Sequence, residues 1–290
     1  MEGTIISFIN MKGGVGKTTL SIGVADYLSS IGHSILLIDA DPQFNATQAL
    51  LDSYKNKKAA IESSEDYDFY NDEILSVNKT VFRLFMPQTN VNKSFETPSA
   101  SELITSLKEN LDILCGDLNL VLVNSSNNHA FINRIRNFID YNGLRTQYDY
   151  IIIDCPPTLT IYTDSALMAS DYYLIPNKID RYSIVGIDSL QRAVNNLIRE
   201  ERINLKCIGL VYTMVNSNMP AKQEKIRLSF ENKKIVSSLD IFSSRLTIVN
   251  NIQYGVSGTI PTRYKSSKED IEAISIELMD KINILKREGN

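Results

Sequence analysis

The chain has 290 residues, 43% of them hydrophobic, and a net charge of −4, which is enough apolar material for one large α/β core or two modest ones. No apolar run approaches the ~18 residues of a membrane-spanning helix, and the N-terminus lacks a signal peptide's basic start and long apolar stretch. A cytoplasmic protein is expected. Cys115, Cys155 and Cys207 lie far apart with no C-x-x-C spacing, and His33 and His129 are isolated. Reduced core thiols fit this pattern better than a metal or cluster site.

The first predicted element is a strand over 4–9, followed by Lys12-Gly-Gly-Val-Gly-Lys-Thr-Thr19 and a helix over 17–30. Glycines at 13, 14 and 16 let the backbone take positive φ and turn its N–H groups onto an anion. Lys17 can then reach the β- and γ-phosphates, the Thr18 hydroxyl can ligate Mg²⁺, and the helix adds the positive end of its dipole. Gly13, Gly14, Val15, Gly16, Lys17, Thr18 and Thr19 are therefore the expected phosphate cradle. The ordinary pattern GxxxxGK[ST] would put its first glycine at Met11, so this is a variant carrying a second lysine, Lys12. A dinucleotide-binding loop is excluded, because Thr19 stands where the third glycine of G-x-G-x-x-G belongs.

A second strand over 34–38 ends in Asp39-Ala-Asp41-Pro-Gln. Two carboxylates one residue apart at a buried strand end face the same crevice, and each needs a cation, a water or a lysine to offset desolvation. Asp41 could orient an attacking water and Asp39 could hold a Mg²⁺ shell or a lysine; otherwise both simply cap the next helix. Residues 55–100 carry an acidic tract (Glu62, Glu65, Asp66, Asp68, Asp72, Glu73) with Tyr67 and Tyr70. They read either as a solvated insertion or as a surface for a partner.

Further helices are expected over 101–109, 129–142, 162–169, 183–201 and 268–286, and strands over 111–114, 150–153, 172–175 and 207–212. The strands are apolar throughout rather than alternating, as in a parallel sheet covered on both faces. The alternation of the two element types predicts a doubly wound α/β fold with a mostly parallel sheet flanked by helices. The strand over 150–153 closes in Asp154-Cys-Pro-Pro157, the Walker B arrangement in which a carboxylate meets Mg²⁺. Charge is unevenly spread: 12 Lys and Arg against 21 Asp and Glu give residues 1–175 a net −9, and 18 against 13 give residues 176–290 a net +5. That basic portion is either an ordinary solvated face or an electrostatic footprint for nucleic acid.

Together the loop at 12–19, Asp39-Ala-Asp-Pro-Gln-x-Asn-Ala-Thr47 and Tyr148-Asp-Tyr-Ile-Ile-Ile-Asp-Cys-Pro-Pro157 resemble the ParA/MinD family of deviant-Walker P-loop ATPases, and most of all its short ParA-type partition branch. Shorter matches follow in Asn110–Leu114, Ile175-Pro176, Tyr182-Ser183, Gly186 and Gly209–Met214, so the likeness covers roughly 3–54 and 101–290. It implies one P-loop ATPase domain over 1–290 with a divergent insertion at about 55–100, using ATP and Mg²⁺. By the same likeness Lys12 crosses an ATP-sandwiched homodimer to the partner's nucleotide, Lys17 and Asp41 are catalytic, and Thr18 binds the metal directly with Asp154 acting through water; Asp39 is a metal candidate from its place at the strand end alone. Met214 and Asn216 would lie near adenine. DNA would be bound without sequence preference by the ATP dimer, placing it on the nucleoid. The candidate residues are Lys178, Arg181, Arg192, Arg199, Arg202, Arg245, Arg263 and Lys265. A centromere-binding, ParB-like adaptor would stimulate hydrolysis.

The departures are equally specific. The chain starts at the P-loop strand, so the N-terminal helix-turn-helix of longer ParA proteins is not expected, and Phe44 stands where a glycine often follows Asp-Pro-Gln. A MinD-like positioning ATPase is the alternative reading. Its basic membrane-binding tail is not matched by the last helix, whose polar side mixes Glu272, Glu277 and Asp280 with few lysines.

Overall fold

Strand runs without a polar face need cover on both sides, and the computed structural model, which describes residues 2–56, 67–86, 96–123, 129–180, 182–248 and 258–288, provides it. Its strands are β1 (Thr4–Phe8), β2 (Ile35–Asp39), β3 (Ile104–Lys108), β4 (Leu111–Leu114), β5 (Tyr150–Asp154), β6 (Tyr172–Lys178), β7 (Lys206–Val215) and β8 (Ile241–Thr247). They form one sheet in the order β3-β4-β2-β5-β1-β6-β7-β8. Every pairing is parallel except β3 with β4. Along β1 the side chains divide between two cores, Ile5 into one and Ile6 and Phe8 into the other. This is the doubly wound α/β fold that the sequence predicts.

The principal helices are α1 (Lys17–Ser30), α2 (Asn45–Leu51), α3 (Arg134–Tyr141), α4 (Ile161–Ala169), α5 (Ser183–Glu201), α6 (Ala221–Glu231) and α7 (Lys265–Glu288). One core is closed by α1, α2 and α7, the other by α3 to α6. Ile271, Ile274, Leu278 and Ile282 of α7 are buried on one face, each contributing about 1.5–3 kcal/mol of transfer free energy. Gly23 lets α7 approach α1 closely: a Cβ there would lie 2.5 Å from Ile271 Cδ1. No described helix is long and apolar enough to cross a membrane.

Three sequence expectations change. The helix over 101–109 is a single turn, Ala100–Leu103, that gives way to β3. Asn110, at φ 60°, closes a tight hairpin there and lets Ile104–Lys108 pair antiparallel with β4. Strand β8 and helix α6 have no counterpart among the predicted elements. On β8 only Phe242 and Leu246 are buried, so its sequence looks like a polar loop. Residues 67–86 are no solvated insertion: Val81, Leu84 and Phe85 sit in one core and Tyr70 and Ile74 in the other. Glu62, Glu65 and Asp66 lie outside the described residues.

The segment entering the 55–100 region is tied down at one carboxylate. Asp26 of α1 accepts from Lys108 Nζ at 2.5 Å and from the hydroxyls of Tyr54 and Thr262. Its burial would raise the carboxyl pKa, but these donors outweigh that and hold it below the usual aspartate range. Replacing Asp26 with Ala leaves the Lys108 ammonium and the Tyr54 and Thr262 hydroxyls without their buried acceptor and should lower stability by about 2–4 kcal/mol in urea denaturation. Because the folded carboxyl pKa lies below the unfolded one, the wild-type advantage is complete above about pH 4 and is lost as the pH falls further.

Candidate functional site

All the parallel strands end on one side of the sheet, and the loops leaving β1, β2, β5 and β7 meet there. Residues 13–19 follow β1. Gly14 at φ 68° and Gly16 at φ 79° take the left-handed backbone, while Gly13 does not. A Cβ at Gly13 or Gly14 would meet nothing within 4 Å, so the cradle is open toward its ligand. Gly16 caps the start of α1, and the loop is held from below by the Thr213 hydroxyl donating to the Val15 carbonyl.

Asp154 and Asp41 act on Lys17 of this loop, and Asp39 lies beside them, buried and bonded to Thr47 and the Asp41 N–H. Asp154 closes β5 and is in register with Asp39 on the neighbouring β2. Thr18 Oγ1 donates to Asp154 Oδ2 at 2.8 Å, while Asp154 Oδ1 is buried without any hydrogen-bond partner. Asp39 Oδ2 accepts from Thr47 N and Thr47 Oγ1, both at 2.8 Å, and Oδ1 from Asp41 N at 3.2 Å. Asp41 Oδ1 accepts from Gln43 N at 2.9 Å. Burial first, and then the neighbouring carboxylates, push the carboxyls of Asp39 and Asp154 well above the usual range. Burial likewise lowers Lys17, against the pull of Asp154 and Asp41. The orphaned oxygen beside a threonine hydroxyl is an all-oxygen donor set suited to a hard divalent cation.

A cavity of about 600 Å³ runs from this cluster outward, lined by Gly13, Gly14, Val15, Gly16, Lys17, Thr18, Thr19, Asp41 and Met214. Gln43, Asn45, Pro157, Leu246, Thr247, Ile248 and Ser267 complete its walls. Sequence reasoning missed these. Gln43 and Asn45 adjoin the Asp41 motif, but Leu246–Ile248 and Ser267 carry no local signal and arrive through β8 and α7. Ser267 Oγ is buried without a partner. Asn216 is not part of the lining; it is exposed and its amide donates to Gln223 at 3.5 Å.

Lys12 behaves differently from Lys17. Its backbone carbonyl lies 3.4 Å from Lys17 Nζ, yet its own ammonium turns away from the cavity and pairs with Asp180, just beyond β6. The Lys12 backbone N–H donates to Asn10 Oδ1 at 3.0 Å, and Asn10 in turn donates to the Pro176 carbonyl at 2.8 Å. Gly186 packs against this turn.

The basic candidates are not gathered together. Lys178 ends β6; Arg192 pairs with Asp188, and Arg199 with Asn196, on α5. Arg202 ends α5 at the far side of the sheet, and Arg245 lies on the edge strand β8. Arg263 lies over the Tyr54 ring and donates to the Ser53 carbonyl at 3.2 Å, and Lys265 opens α7 on the opposite face from α5. Arg181 lies outside the described residues. Three other lysines do converge: Lys222, Lys225 and Lys233 line a groove of about 380 Å³ with Asp180, Ile184 and Phe230.

Comparisons with known proteins agree with this architecture. Residues 3–207 match the AAA domain family model. The chain is 30% identical over 215 residues to the sporulation initiation inhibitor protein Soj of Bacillus subtilis, covering 74% of each. It is 32% identical over 215 residues to the chromosome partitioning protein ParA of Myxococcus xanthus, covering 74% of this chain and 66% of that one. A plasmid partition protein from Borrelia burgdorferi shares the fold, with a TM-score of 0.67 at 21% identity over 97% of this chain and 100% of that one.

Proposed function

The chain belongs to the ParA/Soj-type P-loop ATPases, and from that premise we propose that it is a DNA-partition ATPase whose working unit is an ATP-bound pair of chains. In this reading residues 1–290 act as one ATPase domain and the segment at about 55–100 is its insertion. The phosphates of ATP lie on the backbone amides of residues 13–19, with Lys17 against the β- and γ-phosphates and α1 contributing its positive end. Thr18, Asp154 and Asp39 are the residues that would hold Mg²⁺, which supplies charge neutralisation on the phosphate oxygens when bound. Asp41 orients the attacking water and accepts its hydrogen bond. The adenosine end lies toward Met214, Leu246–Ile248 and Ser267.

One observation carries the dimer. Lys12 sits in the phosphate loop but its ammonium is held by Asp180, outside its own cavity. A second cation placed so is suited to a partner's nucleotide, where it stabilises transferred charge as an arginine finger does. A MinD-like role in positioning a protein cargo uses the same chemistry.

The DNA-binding surface in this reading is the Lys222–Lys225–Lys233 groove beside Asp180, because the other candidate cations among the described residues are scattered or paired. Two chains joined through Lys12 bring two such grooves onto one assembly. Electrophoretic shift at low salt should show binding with ATP and none with ADP or without nucleotide. Nucleotide-independent binding, or none at all, removes the partition reading and leaves a generic ATPase switch. Replacing Lys222, Lys225 and Lys233 together with Ala should weaken binding and flatten the log–log salt slope by roughly one unit for each phosphate that is no longer neutralised. An unchanged slope would move the DNA surface elsewhere. A ParB-like adaptor that stimulates hydrolysis completes the cycle by releasing the dimer from DNA.

A further inference from the structure

The loop that carries Asp41 has a strained residue in its turn. Phe44 adopts φ 40° and ψ 36°, left-handed backbone that non-glycine residues occupy at a cost. The strain persists because three contacts fix it. Phe44 N donates to the Asp41 carbonyl at 2.8 Å, which closes the turn directly behind the carboxylate. The Phe44 ring stacks on Tyr70, with centroids 4.9 Å apart and planes 13° from parallel. The backbone at Gly116 comes so close that a Cβ there would lie 2.8 Å from Phe44 Cβ and 2.9 Å from Asp39 Cγ.

Tyr70 is anchored in turn. Its hydroxyl donates to the Gly116 carbonyl at 3.0 Å, and Gly116 N donates to Thr47 Oγ1 at 2.8 Å, the same hydroxyl that donates to Asp39. Tyr70 is buried, and its segment, Tyr70–Ile74, packs into the core that holds α1 and α2. A continuous set of contacts therefore runs from the 67–77 segment through the stacked rings to the turn of Asp41, with a parallel branch to Asp39.

We infer that Phe44 and Tyr70 are positioning residues for hydrolysis: the stacked pair holds the turn 41–44 so that Asp41 faces the phosphate end of the cavity. The inference rests on Asp41 acting on the water. It gives the segment at 67–77 a role beyond covering the core, because whatever displaces Tyr70 also moves the catalytic carboxylate. Neither ring touches the nucleotide cavity, so their effect falls on turnover rather than on binding.

The test compares Phe44→Gly, Tyr70→Leu, Tyr70→Phe and Asp41→Ala in the full chain, measuring ATP affinity, kcat per binding-competent site and thermal stability. Phe44→Gly tolerates the left-handed backbone and removes the ring without adding strain. The expected result is a kcat lower by about ten- to a hundredfold for Phe44→Gly and Tyr70→Leu, with ATP affinity within about twofold. Tyr70→Phe keeps the stack and should retain most of the rate. A merely structural role would lower the melting temperature and the number of competent sites but leave kcat per site intact, and that outcome overturns the inference. If Asp41→Ala abolishes turnover while Phe44→Gly and Tyr70→Leu do not alter it, the inference fails alone. If Asp41→Ala is itself without effect, the role of Asp41 fails and this inference with it.

Discussion

Replacing Asp41 with Ala should reduce ATP hydrolysis by about 10²- to 10⁴-fold, the range for loss of a positioned general base, with ATP affinity unchanged or slightly improved. The sign of the affinity change follows from the charges present. Asp41 lies in a cluster with Asp39 and Asp154, and burial with like-charge repulsion already raises the carboxyl pKa of both neighbours. Removing one negative charge relieves that repulsion and makes the site more receptive to a polyphosphate. The fold should be little affected, since the turn is also closed by Phe44 N on the Asp41 carbonyl, a backbone contact the substitution keeps. Steady-state phosphate release and equilibrium nucleotide binding check the two halves separately, and the variant should accumulate as the ATP dimer. Hydrolysis at the wild-type rate would refute the role.

The second large effect is expected at Lys12. Lys12→Ala should lower turnover by about 10³-fold or more, the scale on which a cation supplied in trans acts on phosphoryl transfer. The substitution leaves the phosphate cradle intact, because Lys12 contributes no side chain to the cavity lining. Monomeric nucleotide binding should therefore survive, whereas ATP-dependent association, followed by sedimentation with a non-hydrolysable analogue, should weaken. The cis pairing with Asp180 adds little to stability in itself, as both side chains are more than a quarter exposed. A fall in melting temperature is not expected. If Lys12→Ala loses monomeric ATP binding, the lysine works within its own cavity and the dimer reading fails.

Sequence and structure divide this site along physical lines. The phosphate loop and Asp154 are legible because each rests on local backbone chemistry: glycines that permit a left-handed turn, and a buried strand that ends in a carboxylate. The extra lysine is legible as well, though only the structure places its ammonium on Asp180. Ser267, Leu246, Thr247 and Ile248 are not legible, because they reach the cavity through β8 and α7, whose placement depends on long-range packing. The helix expected over 101–109 fails for a related reason. Hairpin pairing with β4 decides the conformation of Ile104–Lys108 against its local pattern, as tertiary context often overrides propensity. At Phe44 the sequence shows a departure without its reason; the partner ring, Tyr70, lies 26 positions along the chain, far beyond the local stretch that carries the Asp41 motif.

The central claim is that Lys12 acts across an interface while Asp41 acts within its own cavity, and mixing the two inactive variants tests it directly. In a mixed dimer the Lys12→Ala chain keeps Asp41 and receives Lys12 from its Asp41→Ala partner, so one of the two sites is complete. Equimolar mixing should restore hydrolysis toward a ceiling of about a quarter of the wild-type rate, the value for random pairing in which half the dimers are mixed and each has one working site, with the weaker association of the Lys12→Ala chain lowering the mixed fraction below that ceiling. No recovery, in a mixture where crosslinking demonstrates mixed dimers, would contradict the account and place Lys12 in the same active site as Asp41.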